Sequence, residues 1–172
     1  MNSPSSWLVQ HAGLLPRAGR ALDVACGSGR HALWLAEHGL TTLAVDRDAD
    51  AIRELNEAAR AHRLPLRADV RDLEDGSNPF GGSTFDVIVV VHYLHRPLFP
   101  ALIEALAPDG LLVYETFTRA QAARGKPTNP DFLLEPGELL DLVQPLEILA
   151  SREGDFDGRM IASVIARRGS VS

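Results

Sequence analysis

Arg20-Ala21-Leu22-Asp23-Val24-Ala25-Cys26-Gly27-Ser28-Gly29-Arg30-His31 is the stretch that decides the fold. Its first six residues form an apolar run of strand length that stops at two closely spaced glycines. A helical pattern follows over His31 to His38, with Leu33, Trp34 and Leu35 apolar and Gly39 as the stop. Glycine lets the backbone turn sharply and approach a ligand, and the helix behind it offers free amide groups.

The same alternation continues in both directions. Thr41 to Val45 is β-branched and ends at Asp46, and Asp48 is a plausible N-cap for a helix to His62 with Ala51, Ile52, Leu55 and Ala58/Ala59 on one stripe. Leu64 to Ala68 reads as a third strand, followed by a polar loop from Glu74 to Thr84. Phe85-Asp86-Val87-Ile88-Val89-Val90-Val91 is the strongest strand, nearly continuous in apolar character as a central parallel strand covered on both faces must be. A helix over Leu98 to Ala107 and the turn Pro108-Asp109-Gly110 lead to Leu111–Tyr114 as a fifth strand. A short helix then covers Gly137 to Val143. Leu146–Glu153 and Met160–Arg167 alternate like strands around Asp155-Phe156-Asp157-Gly158, a hairpin signal. A helix at Ser6–Leu15 precedes the whole series.

This order predicts an α/β fold: a doubly wound three-layer sandwich on a seven-stranded, mostly parallel sheet. One strand of the closing hairpin must be antiparallel, because so short a turn cannot join parallel strands. The chain reads as one domain over 1–172, with an N-terminal helix within 1–18 and the core over 20–168. A net charge of −6 lacks the footprint of a nucleic-acid binder, so no nucleic-acid partner is expected. The single cysteine, Cys26, excludes an internal disulfide framework and most cysteine-built metal sites, and no metal is expected. No apolar run approaches the roughly 20 residues of a membrane span. No signal-peptide pattern opens the chain, so a cytoplasmic location with no membrane partner is expected. The reading sets no oligomeric state.

In a doubly wound sheet, ligands bind outside the carboxyl ends of the strands where the winding reverses. After the first strand comes the glycine turn, which also fits a dinucleotide fingerprint as Gly27-Ser28-Gly29-Arg30-His31-Ala32. Asp46, ending the second strand, is placed to accept both hydroxyl protons of a ribose. Asp69, at the third strand's end, is placed to accept from an adenine amino group. Asp23 chooses between adenine nucleosides. A carboxylate beside the turn repels a pyrophosphate and attracts an ammonium or sulfonium, by about 4 kcal/mol at 4 Å and intermediate dielectric. S-adenosylmethionine carries adenine, a ribose diol and both cations without phosphate, and fits better than NAD.

Together these residues resemble the class I S-adenosylmethionine-dependent methyltransferases over about Ser6 to Arg168, and Cys26-Gly27-Ser28-Gly29-Arg30-His31 with Gly137-Glu138-Leu139-Leu140 resembles, within that class, the small bacterial tellurite-resistance type. The resemblance rests on Leu22–Gly29 as cofactor loop, Val45-Asp46 as ribose acid and Ala68-Asp69-Val70 as adenine contact. It rests also on Phe85–His92 as the fourth strand leading to the active site, and on Pro108–Leu112 as the turn into the fifth. The family usually has glycine where this chain has Ala25. The implied cofactor contacts are Asp23, Ala25, Cys26, Gly27, Gly29, Asp46, Arg47, Asp69, Val70, Val91 and His92. The implied activity is methyl transfer to a small-molecule acceptor. The alternatives are an NAD(P)-dependent oxidoreductase and a non-catalytic S-adenosylmethionine-binding subunit.

Methyl transfer is an in-line displacement in which the protein's main contribution is positioning. After the fourth strand the chain reads His92-Tyr93-Leu94-His95-Arg96-Pro97, without the Asn/Asp-Pro-Pro-aromatic run that holds planar nitrogens. His92, Tyr93 and His95 are candidates for a base or for orienting the acceptor, and Glu115 for facing the substrate cavity. Cys26 reads as a small packing residue rather than a nucleophile. The loop Phe117–Glu135 is expected to wall the acceptor site, with Arg119, Arg124 and Lys126 meeting an acceptor if it is anionic.

Overall fold

The computed structural model of the chain describes residues 3–170. The outermost two positions at each end of the expected 1–172 domain lie outside the described residues. The elements are α1 (Ser6–Gln10), β1 (Arg20–Val24), α2 (Arg30–Glu37), β2 (Thr41–Asp46), α3 (Ala49–Ala61), β3 (Leu66–Val70), β4 (Phe85–Val91), α4 (Phe99–Glu104), β5 (Leu106–Phe117), α5 (Glu138–Leu142), β6 (Glu147–Phe156) and β7 (Arg159–Arg167).

The seven strands form one sheet in the order β3-β2-β1-β4-β5-β7-β6. β1 through β5 pair in parallel, whereas β7 runs antiparallel to both β5 and β6. The sheet is thus the predicted one, with β7 as the reversed strand. It reverses because Asp157 and Gly158 join it to β6 at φ of 56° and 78°, the two positive values that a two-residue hairpin turn needs.

Two apolar layers cover the sheet. On one face Leu22, Val24, Ile88, Val90, Leu112 and Tyr114 pack under Phe99 and Leu102 of α4 and Leu139 of α5. On the other, Ala21, Val87, Val89 and Val113 meet Trp7 and Leu8 of α1 and Leu35 of α2, while Ile52 and Leu55 of α3 pack beside Ala44 and Ala68. Successive strand residues point to opposite faces, so β4 must be apolar on both. Its residues from Val87 to Val91 are all buried.

Several boundaries moved. The N-terminal helix is a short α1 followed by a 3₁₀ turn at Ala12–Leu14. The helix expected over Leu98–Ala107 is a 3₁₀ turn at Arg96–Leu98 and then α4. β3 starts two residues late because the Leu64 amide still donates to Ala59 O at the end of α3. The expected structureless loop after β5 contains 3₁₀ turns at Arg119–Ala123 and Pro130–Phe132. Its base is pinned by a bridge between Thr118 and Leu134.

Candidate active site

β1 lies between β2 and β4, so crossovers leave in opposite directions there and a crevice opens at the carboxyl ends. A cavity of about 410 Å³ occupies it, within the size range of small-ligand sites. Ala25 follows β1, Asp46 and Arg47 follow β2, Arg71 to Glu74 follow β3, His92 to Leu94 follow β4, and Thr116 and Phe117 close β5; Pro127 and Phe132 of the long loop complete the lining.

The glycine turn is held from β2. Asp46 Oδ2 accepts from the Gly27 amide at 2.9 Å, and Oδ1 accepts from the Asp48 amide at 2.9 Å. Gly27 has a φ of +54°, and a Cβ there would meet nothing within 4 Å. Open space over a left-handed glycine leaves room for a ligand to approach the backbone closely. Ala25 also takes a positive φ, 55°. That backbone shape explains the glycine usual at this position, since a left-handed alanine is strained by about 1 kcal/mol.

Of the expected cofactor contacts, Ala25, Asp46, Arg47 and His92 line the cavity. Asp23 lies beneath the turn, 1% exposed, and accepts from the Ala32 amide at 3.0 Å. Burial raises its carboxyl to about 7, against the Ala32 hydrogen bond and the nearby Arg30 charge. The Cys26 amide donates to Val45 O. Its thiol is pushed up by burial and by the Asp23 and Asp46 carboxylates, which suits a packing residue. Gly29 caps α2 at φ 86° and packs on Leu55. Asp69 sits inside β3, not at its end, and pairs with Arg71 at 3.0 Å and Arg67 at 3.3 Å. Val70 is exposed, and Val91 is buried in the sheet. Neither they nor Asp23, Cys26, Gly27, Gly29 and Asp69 are among the lining residues.

The candidates for chemistry divide. His92 and Tyr93 line the cavity. The His92 ring stacks on Phe117 with centroids 4.6 Å apart, and burial, with the Arg30 charge, lowers its pKa to about 4. It is therefore neutral at pH 7 and keeps a lone pair to offer. The Tyr93 hydroxyl is buried without a hydrogen-bond partner, and burial together with the Glu74 carboxylate beside it raises its pKa. Glu74 lies near that hydroxyl without a hydrogen bond of good geometry. His95 instead ties two lining segments together, its Nδ1 3.2 Å from Glu74 Oε1. Glu115 is not at the cavity. It accepts from Ser5 Oγ at 2.9 Å, Ser163 Oγ at 2.5 Å and Arg152 Nη2 at 3.3 Å.

Pro127 and Phe132 of the loop line the cavity, but two of its charges are engaged elsewhere. Arg119 pairs with Glu135 and Arg124 with Asp155, and none of Arg119, Arg124 and Lys126 lines the cavity. Sequence reasoning missed Arg71 to Leu73, hidden by the two-residue error in β3. It also missed Thr116, Pro127 and Phe132, whose only signal was membership of β5 and of the loop.

A model of the methyltransferase domain family matches residues 21–110. A putative methyltransferase of Bacillus subtilis, YqeM, is 27% identical over 120 residues, 63% of this chain and 47% of the relative. The chain is thus matched to about half the length of that relative. Among solved structures, TehB from Haemophilus influenzae superposes with a TM-score of 0.82 at 20% identity, over 98% of this chain and 63% of that one. A SAM-dependent methyltransferase from Methanosarcina mazei superposes with a TM-score of 0.78 at 20% identity, over 99% and 100% of the two chains.

Proposed function

The chain belongs to the methyltransferase domain family, and we propose that it is an S-adenosylmethionine-dependent enzyme that methylates a small-molecule acceptor by positioning rather than by strong acid–base catalysis. One observation carries this reading. The ends of β1, β2 and β4 place Ala25, Asp46 and His92 on a single cavity that continues to Phe117 and Phe132, giving a nucleoside end and an acceptor end in one space. Asp46 would hold the ribose, with the open turn at Gly27 beside it. Asp23 beneath the turn supplies negative charge toward the donor's ammonium and sulfonium once its buried carboxyl ionises.

S-adenosylmethionine supplies an activated methyl group on a sulfonium, which leaves as a neutral thioether. For its part, the chain orients the acceptor. The neutral His92 imidazole, fixed by stacking on Phe117 and by the hydrogen bond that the His92 backbone amide donates to Glu115 O, accepts a hydrogen bond from the acceptor's nucleophilic group. Tyr93 lines the same end. His95 acts through Glu74 as a positioning residue, and Glu115 has no part in the proposed chemistry. The reading retains the cytoplasmic setting expected from the sequence.

Calorimetry with S-adenosylmethionine, its demethylated product and NAD tests the donor, with NAD expected to bind at least about tenfold more weakly. A radiolabelled-methyl assay across thiols, oxyanions, amines and phenols tests the transfer. Tighter binding of NAD than of S-adenosylmethionine would defeat the proposal.

A further inference from the structure

The acceptor end of the cavity differs in chemistry from its other end. Asp46, Arg47, Arg71, Asp72 and Glu74 all come from the ends of β2 and β3. The lining from β4, β5 and the long loop is instead His92, Tyr93, Leu94, Thr116, Phe117, Pro127 and Phe132. Glu74 stands beside the Tyr93 hydroxyl, so the stretch without formal charge is the one from His92 through Thr116 and Phe117 to Pro127 and Phe132.

Phe132 is 52% exposed, a large apolar side chain left in water at the cavity edge. Its position is fixed by an arginine that lines nothing. Arg96, just after β4, forks onto Glu138 and also donates to Asp131 O at 3.2 Å and Leu133 O at 2.9 Å. Those two carbonyls flank Phe132, so one guanidinium holds the backbone on either side of it. At the loop's base, the Leu134 amide donates to Phe117 O and the Arg119 amide to Leu134 O, which ties the loop to the end of β5. A fixed, solvent-facing aromatic over an apolar recess favours a partner that can bury it, worth about 25 cal/mol per Å² of apolar surface removed from water.

Charged acceptors fare worse there. Arg119 and Arg124 pair with Glu135 and Asp155, and none of Arg119, Arg124 and Lys126 lines the cavity, so an anion entering between Phe117 and Phe132 would lose water without contacting the loop's cations.

Resting on the methyltransferase reading above, we infer that this end of the cavity takes an acceptor whose body is aromatic or aliphatic and uncharged, packed between Phe117 and Phe132. The loop whose three cations were expected to meet the acceptor if it is anionic instead presents Pro127 and Phe132 to the cavity.

The test is binding, so that it does not depend on turnover. Calorimetric titrations of phenol, 4-hydroxybenzoate and sodium selenite are run at pH 7.5 on the full chain, with and without saturating S-adenosylhomocysteine. Phenol should bind at least about tenfold more tightly than either anion. Phe132→Ser, an exposed substitution that leaves the core intact, should cost phenol about fivefold or more. Neutralising Arg119, Arg124 and Lys126 together should leave the phenol and selenite isotherms unchanged. The inference is overturned if either anion binds as tightly as phenol, if phenol does not bind, if Phe132→Ser has no effect, or if the triple neutralisation weakens selenite. Failure of the methyltransferase reading itself would show separately, as absence of S-adenosylhomocysteine binding while the phenol titration without it remains readable.

Discussion

Asp46 Oδ2 accepts a hydrogen bond from the Gly27 amide at 2.9 Å, so the residue proposed to hold a ribose also holds the turn beside it. The two roles are coupled through one carboxylate. Asp46→Ala removes the ligand contact together with the Gly27 and Asp48 hydrogen bonds. Donor affinity should fall by about 1–3 kcal/mol, the scale of hydrogen bonds to a charged group. Calorimetry should also show a larger entropic penalty than for wild type, because the turn must now be ordered on binding. A folded variant with unchanged affinity would make Asp46 a turn residue only.

Ala25 points to a prediction in the opposite direction. At φ 55° its backbone is strained, and Ala25→Gly should stabilise the fold by up to about 0.6 kcal/mol after the greater freedom of glycine in the unfolded chain is deducted. Thermal or urea unfolding measures this directly, and S-adenosylmethionine affinity should stay within about twofold.

Gly29 shows the converse. A Cβ there would stand 2.4 Å from Leu55 Cδ1, and Leu55 is fully packed in the core. Gly29→Ala combines that overlap with a left-handed φ and should cost about 2–3 kcal/mol. Adding Leu55→Ala should cost less than the sum of the two single changes. Strict additivity in urea unfolding would remove the overlap as the cause.

Asp23 links stability to pH and to the donor. Its carboxyl ionises near its ordinary value of 3.8 when unfolded, and burial raises it to about 7 when folded. Between those values the unfolded chain holds fewer protons at this site, so its contribution to stability is lost as pH rises from about 4 through about 7. Asp23→Asn preserves an acceptor for the Ala32 amide but does not titrate. The variant should gain on wild type across that window, by up to about 4 kcal/mol for the shift involved. Wild-type affinity for S-adenosylmethionine should rise with pH through about 7 as the carboxylate forms opposite the ammonium. The variant should bind more weakly, without that slope.

These residues also show which parts of the molecule a sequence exposes. β4 is legible residue by residue because burial on both faces leaves a continuous apolar run, and the glycine turn is legible because positive φ selects for glycine. Asp69 was misplaced because Leu64 and Pro65 look like strand residues while the Leu64 amide is still closing α3. The two-residue shift put Asp69 inside β3, where it meets Arg71. The loop charges were misread for a different reason: Arg124 finds Asp155 on β6, and no local pattern announces a partner 31 positions away.

Glu115 is the sharpest case, because its place just after the expected fifth strand, Leu111–Tyr114, suggested a candidate catalytic residue facing the substrate cavity. The structure surrounds it with donors: Ser5 from the segment before α1, Ser163 from β7 and Arg152 from β6. Arg152 is itself held between two rings, 4.9 Å from Trp7 and 4.0 Å from Phe156. A buried carboxylate so satisfied stabilises through geometry, and removing one member leaves the others desolvated and unpaired. Glu115→Ala should therefore cost about 3–5 kcal/mol and loosen the segment before α1, seen as faster amide exchange at Trp7, whose amide donates to Ser5 Oγ. Glu115→Gln keeps the shape and can still accept from Ser5. It should lower stability less than the alanine change. Its kcat for methyl transfer should stay within about threefold of wild type, with an unshifted pH profile. A hundredfold loss of kcat in a fully folded Glu115→Gln variant would return this residue to the chemistry.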